Sequence, residues 1–228
     1  MPQKISPRKS PRKSPDNAPL DLGFLASHGG SNMQAILDAI ATGSLHAVPR
    51  LLVCNNSKAR ALERAAAAGV PALHLSAHTH PEAEALDQAM ADALESHGVG
   101  LVVCAGFMRR VGPRVLARFP NRVLNIHPAL LPNHGGSGMY GLRVHQAVLA
   151  GGDAETGVTI HLVDGLYDHG RTLAQASVPV LPGDTPEVLQ ARVLETEHRL
   201  YPETLQRIAS GEIVPEEFDT GEIDLGQP

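Results

Sequence analysis

Residues 20–41 read LDLGFLASHGGSNMQAILDAIA, and the order of patterns in that stretch decides the fold. Leu20–Ala26 is a short apolar run of strand length. Ser27, His28, Gly29 and Gly30 form a turn. From Ser31 onward the apolar residues Met33, Ile36, Leu37 and Ile40 recur at spacings of three and four, the period of an amphipathic helix. Strand, glycine turn and helix in that order are the first half of a crossover unit that lays strands in parallel.

The same alternation continues outward. Further strand runs fall near residues 49–54, 72–75, 100–104, 122–126, 157–163 and 173–180, and helical stretches near 58–68, 81–96 and 141–150. A long helix is expected from Thr185 and Pro186, because Asp184 or Thr185 can cap it and proline fits its first turn. These readings predict a single α/β domain: a three-layer sandwich with a mostly parallel, twisted sheet and a Rossmann-like N-terminal half. Aromatics are only 3% and Trp is absent, so Ala, Val, Leu and Ile must build the core, as suits strands buried on both faces.

Residues 1–18 differ. SPRK occurs twice in tandem at residues 6–9 and 10–13, and Lys4, Arg8, Lys9, Arg12 and Lys13 all precede the first acid, Asp16. Such a basic Ser/Pro segment cannot bury a core and is expected to be disordered. Residues 19–212 are then expected to form one globular domain, and 213–228 a polar extension. The body beyond the tail holds 14 basic and 23 acidic residues, which argues against nucleic acid as the main partner. No apolar run reaches the roughly 18 residues of a membrane span. The basic N-terminus has no apolar segment behind it, so it is not a secretory signal. Cys54 and Cys104 read as buried reduced thiols. Cytoplasmic residence and small-molecule ligands are the expectation; the oligomeric state is not legible.

In an open parallel sheet, ligands bind beyond the carboxyl ends of the strands, where strand order reverses. Two polar motifs follow strand runs. The first is Gly29-Gly30-Ser31-Asn32. Two glycines allow close backbone approach, and a new helix points its free N–H groups at whatever lies there, which suits a phosphate. The same residues also make an ordinary turn with a helix cap. Neither G-x-G-x-x-G nor a Walker spacing is present.

The second motif is Asn125-Ile126-His127-Pro128. Alternation puts Asn125 and His127 on one face of a strand, and Pro128 ends the ladder. An amide and an imidazole so presented can donate to the oxyanion of an acyl transfer. Asp168, in a loop after the run ending at Val163, is placed to raise the proton affinity of the imidazole. The twelve histidines show no metal-ligand spacing such as H-E-x-x-H, so no metal is expected. No G-x-S-x-G elbow occurs either.

LASHGGSNMQAI at residues 25–36, CNN at 54–56, VVCAGFMRRV at 102–111, RVLNIHPALLP at 122–132, VTIHLVDGLYDHG at 158–170 and LAQASVPVLPGDTPEVLQARVLETEH at 173–198 together resemble the folate-dependent formyltransferases. The element N-I-H-P-x-L-L-P with a downstream Asp loop marks that family at large. The Gly-Gly-Ser-Asn loop and E-H-x-x-Y-P near the end select its glycinamide ribonucleotide branch.

The resemblance implies a co-substrate, 10-formyltetrahydrofolate, and formyl transfer to a phosphoribosyl-glycinamide amine in purine synthesis. It implies that Asn125, His127 and Asp168 are catalytic, and that Gly30, Ser31 and Asn32 hold the substrate phosphate, with Glu197 on the ribose. Met108, Arg109, Arg110 and Val111, with Asn125 and Val163, would contact the folate. The chain departs from the family at His28, where a glycine is frequent. Residues 133–142 make a longer loop than in many relatives. Leu194 stands where a basic or polar residue is often found. Rival expectations are transfer to another amine, hydrolysis of the formylfolate, and a non-catalytic folate- or nucleotide-sensing module. Transfer to a tRNA-borne amine would want a second, basic domain. A hydrolase would usually bring an N-terminal regulatory domain, for which residues 1–19 are too short. Retention of all three polar residues speaks against a sensing module.

Overall fold

A computed structural model describes residues 18–215; all of the expected tail but Ala18, and most of the polar extension, lie outside the described residues. Seven strands form one sheet: β1 (Leu20–Ala26), β2 (Ala47–Cys54), β3 (Ala72–His74), β4 (Leu101–Cys104), β5 (Val123–His127), β6 (Glu155–Leu162) and β7 (Thr172–Pro179). Their spatial order is β3-β2-β1-β4-β5-β6-β7. The first five are parallel, and β6 and β7 continue the sheet antiparallel. Strand order therefore reverses between β1 and β4, and the crevice expected at such a switch point opens at their carboxyl ends.

Six helices cover the sheet: α1 (Ser31–Ala41), α2 (Arg60–Ala67), α3 (Ala83–Ser96), α4 (Pro113–Arg118), α5 (Leu142–Gly151) and α6 (Pro186–Ala209). One face packs β1, β4, β5 and β6 against α1, α2, α5 and α6 through Phe24, Val103, Leu124, Ile160, Met33, Ala65, Val148 and Leu189. The other packs Leu25, Val53, Val102 and Val123 against Met90 and Leu94 of α3 and Val115 of α4. This is the three-layer sandwich expected, with aliphatic side chains filling both cores.

Thr185 caps α6, its hydroxyl accepting from the Val188 N–H at 3.3 Å, and Pro186 occupies the first turn. Tyr201 in the middle of α6 is fully buried and donates to the carbonyls of Cys104 and Leu124. It thus ties the long helix to the end of β4 and the start of β5.

Helix α4 is absent from the sequence reading. It has six residues and no local side-chain cap. Its free N–H groups are met from another helix: Asp87 of α3 accepts from the backbone N–H of Arg114 at 2.7 Å and of Val115 at 3.3 Å. A Cβ on Gly112 would sit 2.1 Å from the Asp87 carboxyl carbon, so the approach requires glycine there.

Candidate active site

The carboxyl end of β5 presents Asn125 and His127 on one face. The antiparallel register of β6 sets His161 opposite Asn125 and Thr159 opposite His127. His161 Nδ1 donates to the Leu162 carbonyl at 2.8 Å, and its Nε2 lies 3.1 Å from the Asn125 amide nitrogen. Asp168 closes the group from the loop after β6. Its Oδ2 lies 3.4 Å from His127 Nδ1, and its Oδ1 lies 3.6 Å from His161 Nε2. The residue sits at φ 54°, in the left-handed region that Asp tolerates better than most side chains. Its Oδ2 also accepts from the Gly136 N–H at 3.0 Å, tying the loop of residues 133–142 to the site. The structure thus brings Asn125, His127 and Asp168 together and adds His161.

His127 is 3% exposed, and its Nε2 donates to the His134 carbonyl at 2.8 Å. Burial pushes the imidazole down. Asp168 and the His134 carbonyl push it up without overcoming burial, and the net shift is downward. The expectation that Asp168 raises this proton affinity holds for the carboxylate's own influence and fails for the sum, because it weighed the charge and left out desolvation. Burial likewise pushes Asp168 up, but His161, His127 and the Gly136 N–H together hold it below the ordinary carboxylate value. On α5, His145 is 1% exposed, and burial, then the proximity of His127, push it down to about 4. It is neutral near pH 7.

The glycine loop lies at the end of β1. Gly30 is the N-cap of α1 at φ 65°, and no side chain caps the helix. A Cβ there would meet the Ala61 Cβ at 2.8 Å. Asn32 is 7% exposed, and its Nδ2 donates to Glu197 Oε2 of α6 at 2.6 Å. Its Oδ1 is buried and meets no partner among the described residues. Burial pushes Glu197 up to about 7, against the opposing pull of Asn32. The expected phosphate and ribose residues therefore share one corner of the molecule.

Beside Asn125 and Asp168 lies a cleft lined by Cys104, Phe107, Arg109, Arg110, Val111, Asn125, His161, Val163 and residues 165–168. Of the residues expected on the folate, Arg109, Arg110, Val111, Asn125 and Val163 line it. Met108 does not: its side chain is largely exposed, and its backbone N–H donates to Ser27 Oγ at 2.8 Å. That bond, with Ser27 N–H to the Gly106 carbonyl at 3.1 Å, knits the ends of β1 and β4 together. The cleft continues into a groove of about 810 Å³ that shares Phe107, Arg109, Arg110 and Tyr167 and runs along α3 and the start of α4.

His161, Phe107 and Tyr167 escaped the sequence reading as site residues. His161 follows Thr159 by two, so strand alternation marks it as sharing a face with Thr159. Its place opposite Asn125 needs the antiparallel register, which nothing local encodes.

Comparison with known proteins agrees with the fold. The profile of the formyl transferase family matches residues 22–205. Phosphoribosylglycinamide formyltransferase of Escherichia coli (strain K12) is 36% identical over 194 residues, covering 85% of this chain and 89% of its own length. The chloroplastic enzymes of that name from Arabidopsis thaliana and Vigna unguiculata are 40% and 41% identical, and the match spans 66% and 62% of their lengths, so the chain covers just under two thirds of these longer relatives. The crystal structure of glycinamide ribonucleotide transformylase 1 from Symbiobacterium toebii superposes with a TM-score of 0.82 at 40% identity, covering 90% of this chain and 95% of that one. With the profile, the sequences and the fold in agreement, this chain belongs to the formyl transferase family, in its phosphoribosylglycinamide formyltransferase branch.

Proposed function

We propose that the chain transfers the formyl group of 10-formyltetrahydrofolate to the amine of N1-(5-phospho-D-ribosyl)glycinamide, a step of purine synthesis. The observation that carries this reading is the gathering of Asn125, His127 and Asp168 beside a cleft that holds Arg109 and Arg110. Asn32 and Glu197 form a second polar cluster, where the loop after β1 meets α6.

In this reading the amine nitrogen attacks the formyl carbon, and the new C–N bond converts the carbonyl oxygen to an oxyanion. The Asn125 amide donates to that oxyanion from a fixed position, where a preorganised donor is most effective, and His127 joins it by releasing the Nε2–H that the His134 carbonyl holds at 2.8 Å. The C–N10 bond then breaks. The proton lost by the amine passes by way of His127 and Asp168 to the departing folate nitrogen, so no net proton is gained or lost. His127 must be protonated to donate in this way. The Asp168 carboxylate provides that tendency against burial, and the incoming anionic substrate adds to it. Arg109 and Arg110 would hold the folate's carboxylates, while Val111, Val163 and Phe107 supply apolar walls.

No metal enters the proposed chemistry, and both ligands are small molecules. The two cysteines are unpaired and buried, which suits a reducing compartment, and the reading assigns the reaction to the cytoplasm.

Purified protein incubated with 10-formyltetrahydrofolate and a panel of amines tests the proposal. Formylation of the phosphoribosyl amine, and of no other, is expected. Formylation of a different amine would reassign the acceptor. Release of formate alone would make the chain a hydrolase.

A further inference from the structure

Resting on the formyl-transfer reading, we infer that Arg64 of α2 is a positioning residue for the acceptor's phosphate. It orients the peptides of the glycine loop and supplies the positive charge that Leu194 does not. Arg64 Nε donates to the Gly29 carbonyl at 2.9 Å, and its Nη1 donates to Gln34 Oε1 at 3.0 Å. The preceding carbonyl, that of His28, is held by the backbone N–H of Ala61 at 3.0 Å. Helix α2 thus grips two successive carbonyls of the loop.

A trans peptide is planar, and its N–H points opposite to its C=O. With both carbonyls drawn toward α2, the N–H groups of Gly29 and Gly30 face away from it. Among the described residues the N–H groups of Gly29, Gly30 and Ser31 meet no acceptor. Such a row of free donors at a helix N-terminus is suited to an anion. Asn32, buried beside them with its Oδ1 unpartnered, marks the same corner as built for a polar ligand.

Charge points the same way. Both acceptors of Arg64 are neutral, so its contacts hold the guanidinium without cancelling it. Its field reaches α6: burial first, and then Arg64, push His198 down. His198 Nε2 is itself buried without a partner among the described residues. Leu194, one turn earlier on α6, is half-buried and apolar.

The test is steady-state kinetics of Arg64→Met, Arg64→Gln and Arg64→Lys with phosphorylated and dephosphorylated acceptor. Arg64→Met should raise KM for the phosphorylated acceptor about 10- to 100-fold, the range of a lost charge-assisted hydrogen bond. KM for the folate and the rate at saturation should stay close to wild type, and the dephosphorylated acceptor should be indifferent to the change. Arg64→Gln, which keeps a donor without charge, should fall between wild type and Met, and Arg64→Lys should recover most of the loss. An unchanged KM, or equal losses with both acceptors, would overturn the inference. If Arg64→Met does not fold, the Gln and Lys variants carry the same test. A readout independent of turnover is the shift of the Gly29, Gly30 and Ser31 amide resonances on titration with inorganic phosphate. It should appear in wild type and fade in Arg64→Gln; amides unmoved in wild type would also overturn the inference. If wild type moves no formyl group at all, the functional reading fails, while the phosphate titration still decides the role of Arg64.

Discussion

The Asn32 amide donates to the Glu197 carboxylate at 2.6 Å across 165 residues of sequence, and this bond ties the loop after the first strand to the middle of the last helix. Asn32→Ala should raise KM for the phosphorylated acceptor about 10- to 100-fold, as for loss of a hydrogen bond to a charged group. The folate KM should hardly move, since Arg109, Arg110 and Val111 follow a different strand. Varying each substrate in turn checks this. A rise in the folate KM alone would assign the loop to the other ligand.

Glu197 and His145 should tilt the pH dependence of stability in opposite directions. Glu197 is raised from 4.5 to about 7 in the fold. The folded state therefore holds the extra proton, and stability falls as pH rises through that window. His145 is lowered from 6.5 to about 4. The unfolded state then binds the extra proton, and stability falls as pH drops from 6.5 toward 4. In the wild type these slopes oppose one another between about pH 4.5 and 6.5. Glu197→Gln should leave a stability that climbs with pH in that range, and His145→Asn one that declines, each changing by at most about 3 kcal/mol. Urea unfolding at half-unit pH intervals measures both slopes. Parallel curves for the two variants and wild type would show that neither group titrates as described.

Asn125→Ala, His127→Ala and Asp168→Asn should each lower kcat by about 10²–10³ while the protein stays folded, the usual cost of one preorganised donor. Asp168→Asn carries a second signature. It removes the largest influence that pushes His127 up, so the limb of the kcat/KM profile that reports His127 should move to lower pH. Normal turnover in any variant would remove that residue from the chemistry. A limb that stays in place would uncouple Asp168 from His127.

Asp87→Ala should destabilise the protein by about 1–2 kcal/mol, the range for a lost helix cap, because the Arg114 and Val115 N–H groups lose their acceptor. The segment holding Arg109, Arg110 and Val111 leads directly into α4, so the folate KM should rise and the acceptor KM should not. Thermal melts with the same two-substrate kinetics test it. An unchanged melting temperature would show that solvent replaces the carboxylate.

How far the sequence reaches differs from element to element, for physical reasons. Helix α1 and strand β1 are legible to the residue, since both carry an undiluted period and a glycine turn between them. Asn125 and His127 are legible because strand alternation and Pro128 fix their face and their place at a strand end. Helix α4 is not, because six residues show less than two turns of pattern and their cap comes from Asp87 on another helix. His161 is hidden in a different way. Its period is visible, but its partner Asn125 is chosen by the antiparallel pairing of β6 on β5. The direction of the His127 shift depends on burial, which a linear sequence does not display, whereas the approach of Asp168 could be expected from a loop beside a strand end.

The most direct test of formyl transfer follows the labelled carbon. Donor carrying ¹³C in the formyl group is mixed with N1-(5-phospho-D-ribosyl)glycinamide and protein in excess over donor, and the fate of the label is read by NMR within one turnover. The account predicts that the label leaves the folate and appears in the formamide of the acceptor, in wild type and not in His127→Ala. Label recovered as formate, at the same rate whether or not the acceptor is present, would contradict it.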